Sequence, residues 1–387
     1  MIAAINRRGF AHRYEYDNQS KLKREMLPDG AVYTYKYDDK NRCIHFTGLD
    51  HYNEKRLKFL DPVGTTILTN SYGTIKTFKC NASGQIESEA TPTGAKRESK
   101  YDEFGRLVTK NDVLGGATLY TFDDFGNRAS ITDALGNVTR FTFNKHHQPT
   151  SMIDATGQIW KREYNGDQRL TATENPLGAR WLIDYDFEGN PIEITEPQGF
   201  KRRQRFELAM LSESTDFMNH KSRFVWDTFG RLIERMGLIG ERSRFRYDAG
   251  DNVIRVDQSD GSSLQATYDA GGNLSSFTNA KGHSTQFRYG SCGRLLERKD
   301  AIGRSVRYEW GTEPDRLDAV INEKQERFTY VRDDEGRVVL ERSFDGREHH
   351  FTYDAAGRVN AFINGNEERI QYKHDPLGRL IEQTLPT

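Results

Sequence analysis

Cysteine is almost missing from this sequence: Cys43, Cys80 and Cys292 are the whole supply in 387 residues. Three scattered thiols exclude a disulfide framework and a CxxC metal knuckle, and they read as buried free thiols. Long apolar runs are missing too, and no stretch approaches the length that crosses a bilayer. The opening MIAAINRRGF carries only a short apolar stretch ahead of its arginines, too short and in the wrong order for a secretory signal. These absences predict a chain that is cytoplasmic in its producer, without membrane insertion, with export as part of a secreted effector as the open alternative. A charge bias is lacking as well. The 56 basic and 57 acidic residues leave a formal charge of −1, which gives nucleic acid or an anionic membrane no electrostatic reason to bind. Hydrophobic residues reach only 35%, a poor supply for several thick cores. Yet 11% aromatics and near-neutrality oppose disorder, so the chain is expected to fold with much of its surface wet.

What is present is a repeat. Aromatic anchors fall at Tyr101, Phe122, Phe143, Tyr164, Tyr185 and Phe206 at intervals of 21, then at Trp226 after 20. Tyr247, Tyr268, Tyr289 and Trp310 resume the interval of 21, and Arg332 follows after 22, ahead of Tyr353 and His374. The same phase runs back through Cys80 and the neighbourhood of Phe59 to Tyr37 and Tyr16. Roughly eighteen units fill the chain, and a fixed period in this range marks a repeat architecture. A second aromatic sits two residues ahead of many anchors, as Phe141, Phe245 and Phe351 do. With a polar residue between, the pair occupies one face of a strand.

Turns punctuate every unit. In YDEFG the Asp102 carboxylate suits the start of a type I turn and Gly105 the left-handed residue that closes it. A second turn follows half a period later, as in DVLG from Asp112, DALG from Asp133 and NPLG from Asn175. Two strands of about seven residues and two short turns make one β-hairpin per unit. Stacked hairpins then bury a shared aromatic ladder. No segment has a sustained 3.6-residue apolar period. The expected fold is all-β: an array of about eighteen 21-residue hairpins forming a long, curved or spiralling antiparallel sheet, one continuous region over residues 1–387. Two places break the rule. Residues 44–75 hold the period poorly and are expected to form a longer loop and a displaced strand. Residues 206–219 lose both glycines, which predicts a bulge, a bend or an inserted loop.

YDEFGRL, WDTFGRL, YGSCGRL, YDAAGRV and HDPLGRL resemble the repeat unit of the Rhs, or YD-repeat, proteins over essentially the whole chain. The resemblance implies a sheet that spirals into a hollow shell around a toxic C-terminal domain, in bacterial polymorphic toxins of interbacterial competition. It implies as partners a toxin or cargo domain, the remaining Rhs shell, and secretion-spike proteins of type VI systems or a chaperone. The spike-docking domain, the aspartyl self-cleavage region and the toxin of complete members are not evident. Asp375-Pro376-Leu377-Gly378 resembles the start of a cleavage region, but Arg379-Leu380-Ile381 follows as in an ordinary repeat.

Candidate chemistry competes with this building rule. Asp38-Asp39, Asp123-Asp124 and Asp333-Asp334 offer paired carboxylates, but each pair falls on the repeat turn, where aspartate has a local role. The recurrent Asp-x-x-Gly lacks the dense glycine pattern of calcium-binding β-rolls. His146-His147 fills a degenerate turn and His349-His350 a strand, where neighbours point to opposite faces, so neither pair is a ready chelate. Alternating arginines and aromatics read as solvated cations beside a packed ladder rather than a nucleic-acid platform. GxSxG, P-loop and zinc motifs are absent. The reading is a non-enzymatic shell segment with no catalytic, cofactor or metal residues; the alternative is a cell-surface adhesion module that binds glycans or a partner protein.

Overall fold

The computed structural model describes residues 2–386. Among them are 37 strands of four to seven residues in one sheet, and each strand pairs antiparallel with the next in the chain wherever the register is defined, as Lys161↔Glu174 and Ala172↔Leu182 illustrate. Two three-residue 3₁₀ turns, Leu49–His51 and Ser291–Gly293, complete the regular structure.

The alternation expected within strands is present. In Val138–Phe143, Phe141 and Phe143 are half-buried while Arg140 and Thr142 face water. A single layer cannot bury more than that. The buried apolar residues among those described are Ala31, Ala172, Ala319 and Ala361, and no large side chain is fully enclosed. The accessible surface of 23987 Å² compares with roughly 15,600 Å² for a compact monomer of this size. Burial in this protein is therefore side chain against neighbouring side chain along the ladder, not a core between layers. For the same reason Cys43, Cys80 and Cys292 are free but only half-buried, where buried thiols were expected.

By internal contacts the chain divides into two units: Met1–Thr118 with Thr267–Phe277 and His283–Thr387, and Leu119–Ala266 with Thr278–Gly282. In the second unit, the stretch without glycines forms a tight hairpin. Strands Lys201–Glu207 and Met210–Thr215 pair up to Glu207↔Met210, and Leu208 and Ala209 both adopt left-handed backbone, φ 50° and 61°. This is the two-residue turn that normally selects Asn-Gly. In the first unit, residues 44–75 depart from expectation: no strand is displaced, and Cys43–Gly48, Lys55–Leu60, Thr65–Asn70 and Ile75–Cys80 follow one another in the ladder. The irregularity lies in two turns: residues 49–54, where Asp50, His51 and Asn53 have φ of 52°, 62° and 51°, and residues 61–64, where the Asp61-Pro62 bond is cis and the Gly64 carbonyl accepts from the Cys80 N–H at 2.8 Å.

Candidate functional surface

One unit of the second body, Trp226-Asp227-Thr228-Phe229-Gly230-Arg231, shows what the repeated residues do. The Asp227 N–H donates to the Arg231 carbonyl (2.9 Å) and the Gly230 N–H to the Asp227 carbonyl (3.0 Å). Gly230 sits at φ 77°, a conformation that glycine adopts without the Cβ penalty of other residues. One Asp227 oxygen accepts from the N–H groups of Phe229 (2.9 Å) and Arg231 (3.0 Å), and the other from the Arg231 Nε (2.7 Å). The Arg231 N–H does most to hold this carboxyl below the usual carboxylate range; burial opposes it and the guanidinium adds to the lowering. Asp123 and Asp333 are capped in the same way. In each adjacent pair the first aspartate is thus tied into the turn.

Anchors with a polar tip supply a donor to the preceding hairpin. The hydroxyls of Tyr164, Tyr185, Tyr247 and Tyr353 donate to the carbonyls of Pro149, Leu170, Leu232 and Val338, all fifteen residues back, at 2.6 to 2.9 Å. The indole nitrogens of Trp226 and Trp310 do the same (2.7 Å), as does the Arg332 guanidinium (3.1 Å). Arginine after the turn glycine stitches forward, over the next anchor ring in Arg231–Tyr247 (5.0 Å) and Arg337–Tyr353 (4.8 Å). The opposite face carries a second stitch that the sequence reading missed. Glu193, Glu213 and Glu234 each hold two cations from the following strand: Lys201 and Arg203, Lys221 and Arg223, Arg242 and Arg244. The signal was available as Glu-x₇-Lys/Arg-x-Arg. These arginines are paired rather than simply solvated.

Within the first unit, turns near the start of the chain meet turns 240 to 263 residues later. The Cys292 N–H donates to Asp29 (2.8 Å), and the Tyr33 hydroxyl lies 2.9 Å from the Cys292 sulfur. Arg294 covers the Tyr52 ring at 4.3 Å, and the Asn53 N–H donates to the Thr312 carbonyl at 2.6 Å. Glu313 pairs with Lys55 and accepts from both the N–H (2.9 Å) and the hydroxyl (2.6 Å) of Ser71. The Thr74 hydroxyl donates to the Asp334 carbonyl (2.9 Å) and the Thr93 hydroxyl to Glu335 (2.7 Å). Gly311 makes the approach possible, because a Cβ there would meet the Tyr72 hydroxyl at 2.2 Å.

The strained turn at residues 49–54 belongs to this seam. Glu54, only 6% exposed, accepts from His45 (2.8 Å), His51 (2.9 Å) and Arg56 (2.9 Å). The His45 hydrogen bond, with those of Arg56 and His51, outweighs burial and pulls the Glu54 carboxyl down to about 2. The clasp holds three left-handed non-glycine residues in place and so presents Tyr52 and Asn53 to the seam.

The remaining residues singled out from sequence serve locally. His147 fills the left-handed turn slot at φ 62° and touches Asn127 (2.7 Å). His349 packs edge-on against Phe362 while exposed His350 lies 3.4 Å from Glu348 on the other face. Asp375 accepts from the Leu377 and Arg379 N–H groups (both 2.9 Å), like any other repeat turn. Among the described residues no helix is long and apolar enough to cross a membrane.

The geometry defines a single-layer β-hairpin repeat scaffold. Comparison narrows the class. The family described as Teneurin YD-shell matches residues 216–385, and the family described as RHS Repeat matches 101–136 and 122–159. The probable deoxyribonuclease RhsB of Dickeya dadantii (strain 3937) is 27% identical over 108 residues, which is 28% of this chain and 7% of RhsB. Among solved structures, TcdB2-TccC3-TEV superposes with a TM-score of 0.80 at 14% identity, over 96% of this chain and 24% of that one. The Photorhabdus luminescens Tc holotoxin pore gives 0.80 at 14% identity, over 95% and 24%. This chain belongs to the Rhs/YD-repeat family, has the fold of those chains, and spans about a quarter of their length.

Proposed function

We propose that residues 1–387 act as one repeat region, a non-enzymatic wall segment of an Rhs toxin shell. The segment encloses a toxin domain and keeps it from its producer until delivery, through a secretion spike, in competition between bacteria. The observation that carries this reading is the seam. Turns 240 to 263 residues apart are joined by ion pairs, hydrogen bonds and cation–π contacts, as a wall requires and a free ribbon does not. The repeat's recurrent polar residues are absorbed by stitching, which leaves exclusion and containment as what the sheet does. Co-expression with a candidate toxin domain, followed by limited proteolysis, tests the proposal. Co-purification with a protease-resistant toxin is expected. A toxin that fails to co-purify and stays fully protease-sensitive overturns it, and binding of the purified chain to intact cells or glycans would support a surface-recognition module instead.

A further inference from the structure

In the second unit the aromatic face opens into a groove of about 490 Å³. Register explains it. Phe141 lies opposite Met152 and Met152 opposite Trp160, while Arg162 lies opposite Thr173 and Thr173 opposite Trp181. All of these line the groove. Trp160 and Trp181 stand on strands Ile159–Tyr164 and Arg180–Tyr185. The strand between, Leu170–Glu174, places the small Thr173 of this face in the groove. Arg162 lies two strand spacings from Trp181 through Thr173, and Trp160 is two residues further along its strand, so the indoles stand diagonally about 12 Å apart over a low floor, a width that admits one extended chain with a side chain between the rings. Two of the four tryptophans of the sequence are gathered here.

Charge selects the occupant. Lys161 is neutralised by Glu174 at 2.9 Å. Arg128 instead lies over the Tyr120 ring at 4.8 Å, and among the described residues neither Arg128 nor Arg162, both exposed, pairs with a carboxylate. An apolar trough bordered by two uncompensated guanidiniums matches a chain that alternates apolar and acidic side chains, because guanidinium binds carboxylate bidentately and stacks on aromatic faces.

We infer that this groove binds an extended peptide segment of the enclosed cargo, with an aromatic or branched aliphatic side chain between Trp160 and Trp181 and a carboxylate on Arg162. The source of the peptide rests on the shell reading; the groove's preference does not. The test is fluorescence anisotropy of a labelled twelve-residue peptide of alternating Leu and Glu, with the Lys counterpart and a β-1,4-linked glucose hexasaccharide as competitors, on the full chain. Saturable binding of the Glu peptide is expected, with quenching of tryptophan emission. Trp181→Ala should weaken it at least tenfold. Arg162→Glu, at an exposed position without a partner to lose, should weaken the Glu peptide tenfold and improve the Lys peptide. Equal binding of both peptides, indifference to Arg162→Glu, or displacement by the hexasaccharide overturns the inference. A negative peptide result beside a protected toxin refutes the groove alone. Peptide binding beside an unprotected toxin refutes the shell and leaves the groove.

Discussion

Removing Glu313 should open the seam, and its effect can be worked from the contacts. The carboxylate pairs with Lys55, the two side chains being 16% and 18% exposed, and it accepts twice from Ser71. Burial pushes this carboxyl up, but the hydrogen bonds from Lys55 and Ser71 outweigh it and leave the group below its ordinary range. Glu313→Ala deletes three hydrogen bonds to a carboxylate, one from an ammonium and two from Ser71, and strands the Lys55 ammonium. Hydrogen bonds contribute about 1 kcal/mol each and charged ones about 1.5–3, and breaking a fully buried pair costs about 3–5 kcal/mol. Partial exposure lowers the sum to about 3 kcal/mol. Glu313→Gln keeps an acceptor for Ser71 and should cost about half as much.

The readout is native-state hydrogen exchange at the Ser71 and Asn53 amides, which donate across the seam, with strand amides of the second unit as internal controls. A 3 kcal/mol loss corresponds to roughly a hundredfold faster exchange where opening is local. Combining Glu313→Ala with Lys55→Met should add much less than the sum of the single changes, since both disrupt one pair. Unchanged protection at Ser71 and Asn53 in Glu313→Ala would show that the seam does not hold these turns and would remove the basis for reading the sheet as a wall.

Three other outcomes are expected. Tyr185→Phe should cost about 1 kcal/mol in urea unfolding by losing the donor to the Leu170 carbonyl, and an unchanged midpoint would deny the anchor its stitching role. Leu208→Asn with Ala209→Gly should stabilise by about 1–2 kcal/mol, because both positions hold left-handed backbone; the check is the urea midpoint at constant slope. Acid should destabilise the chain. The folded Glu54 carboxyl, at about 2, lies below its unfolded value near 4.5, so its contribution is complete above pH 4.5 and is lost as pH falls towards 2. Glu193, Glu213 and Glu234 are lowered by their cation partners and push the same way. Urea midpoints from pH 7 to pH 3 should fall for the native chain and fall less steeply for Glu54→Gln.

Strand, turn and anchor were legible in sequence because each is set by residues within one period. The alternation in RFTF, the Asp-x-x-Gly turns and the 21-residue spacing all describe contacts with the next hairpin. The seam was not legible: its partners are 240 to 263 residues apart, and Tyr33, Tyr72 and Glu313 look like ordinary repeat residues. The weak period at 44–75 was its one trace. The longer loop it predicts is the turn at 49–54, but no strand is displaced, because broken periodicity signals that something differs locally, not that a strained turn is shaped to meet a distant one. The thiols were misplaced for a related reason, since "buried cysteine" assumes an interior that one layer does not possess. The groove was hidden because Trp160, Trp181 and Thr173 acquire meaning only from cross-strand register.

The stitching also explains where specificity can reside. Where the anchor carries a donor it reaches fifteen residues back, as Tyr, Trp and Arg all do in this chain, while Phe122, Phe143 and Phe206 hold the same position without a side-chain donor. Turn aspartate, glycine and the following arginine are similarly committed to their neighbours. Free variation is then confined to turn tips and to strand positions between anchors, and those positions decide what each face offers. Thr173 where a larger side chain would fill the trough, and Trp160 and Trp181 on either side of it, are choices of this kind. Two Rhs repeat sheets can therefore share every stitch and still present different faces, and substitutions at Trp160, Thr173 and Trp181 should alter what the groove binds while leaving the ladder of anchor hydrogen bonds intact.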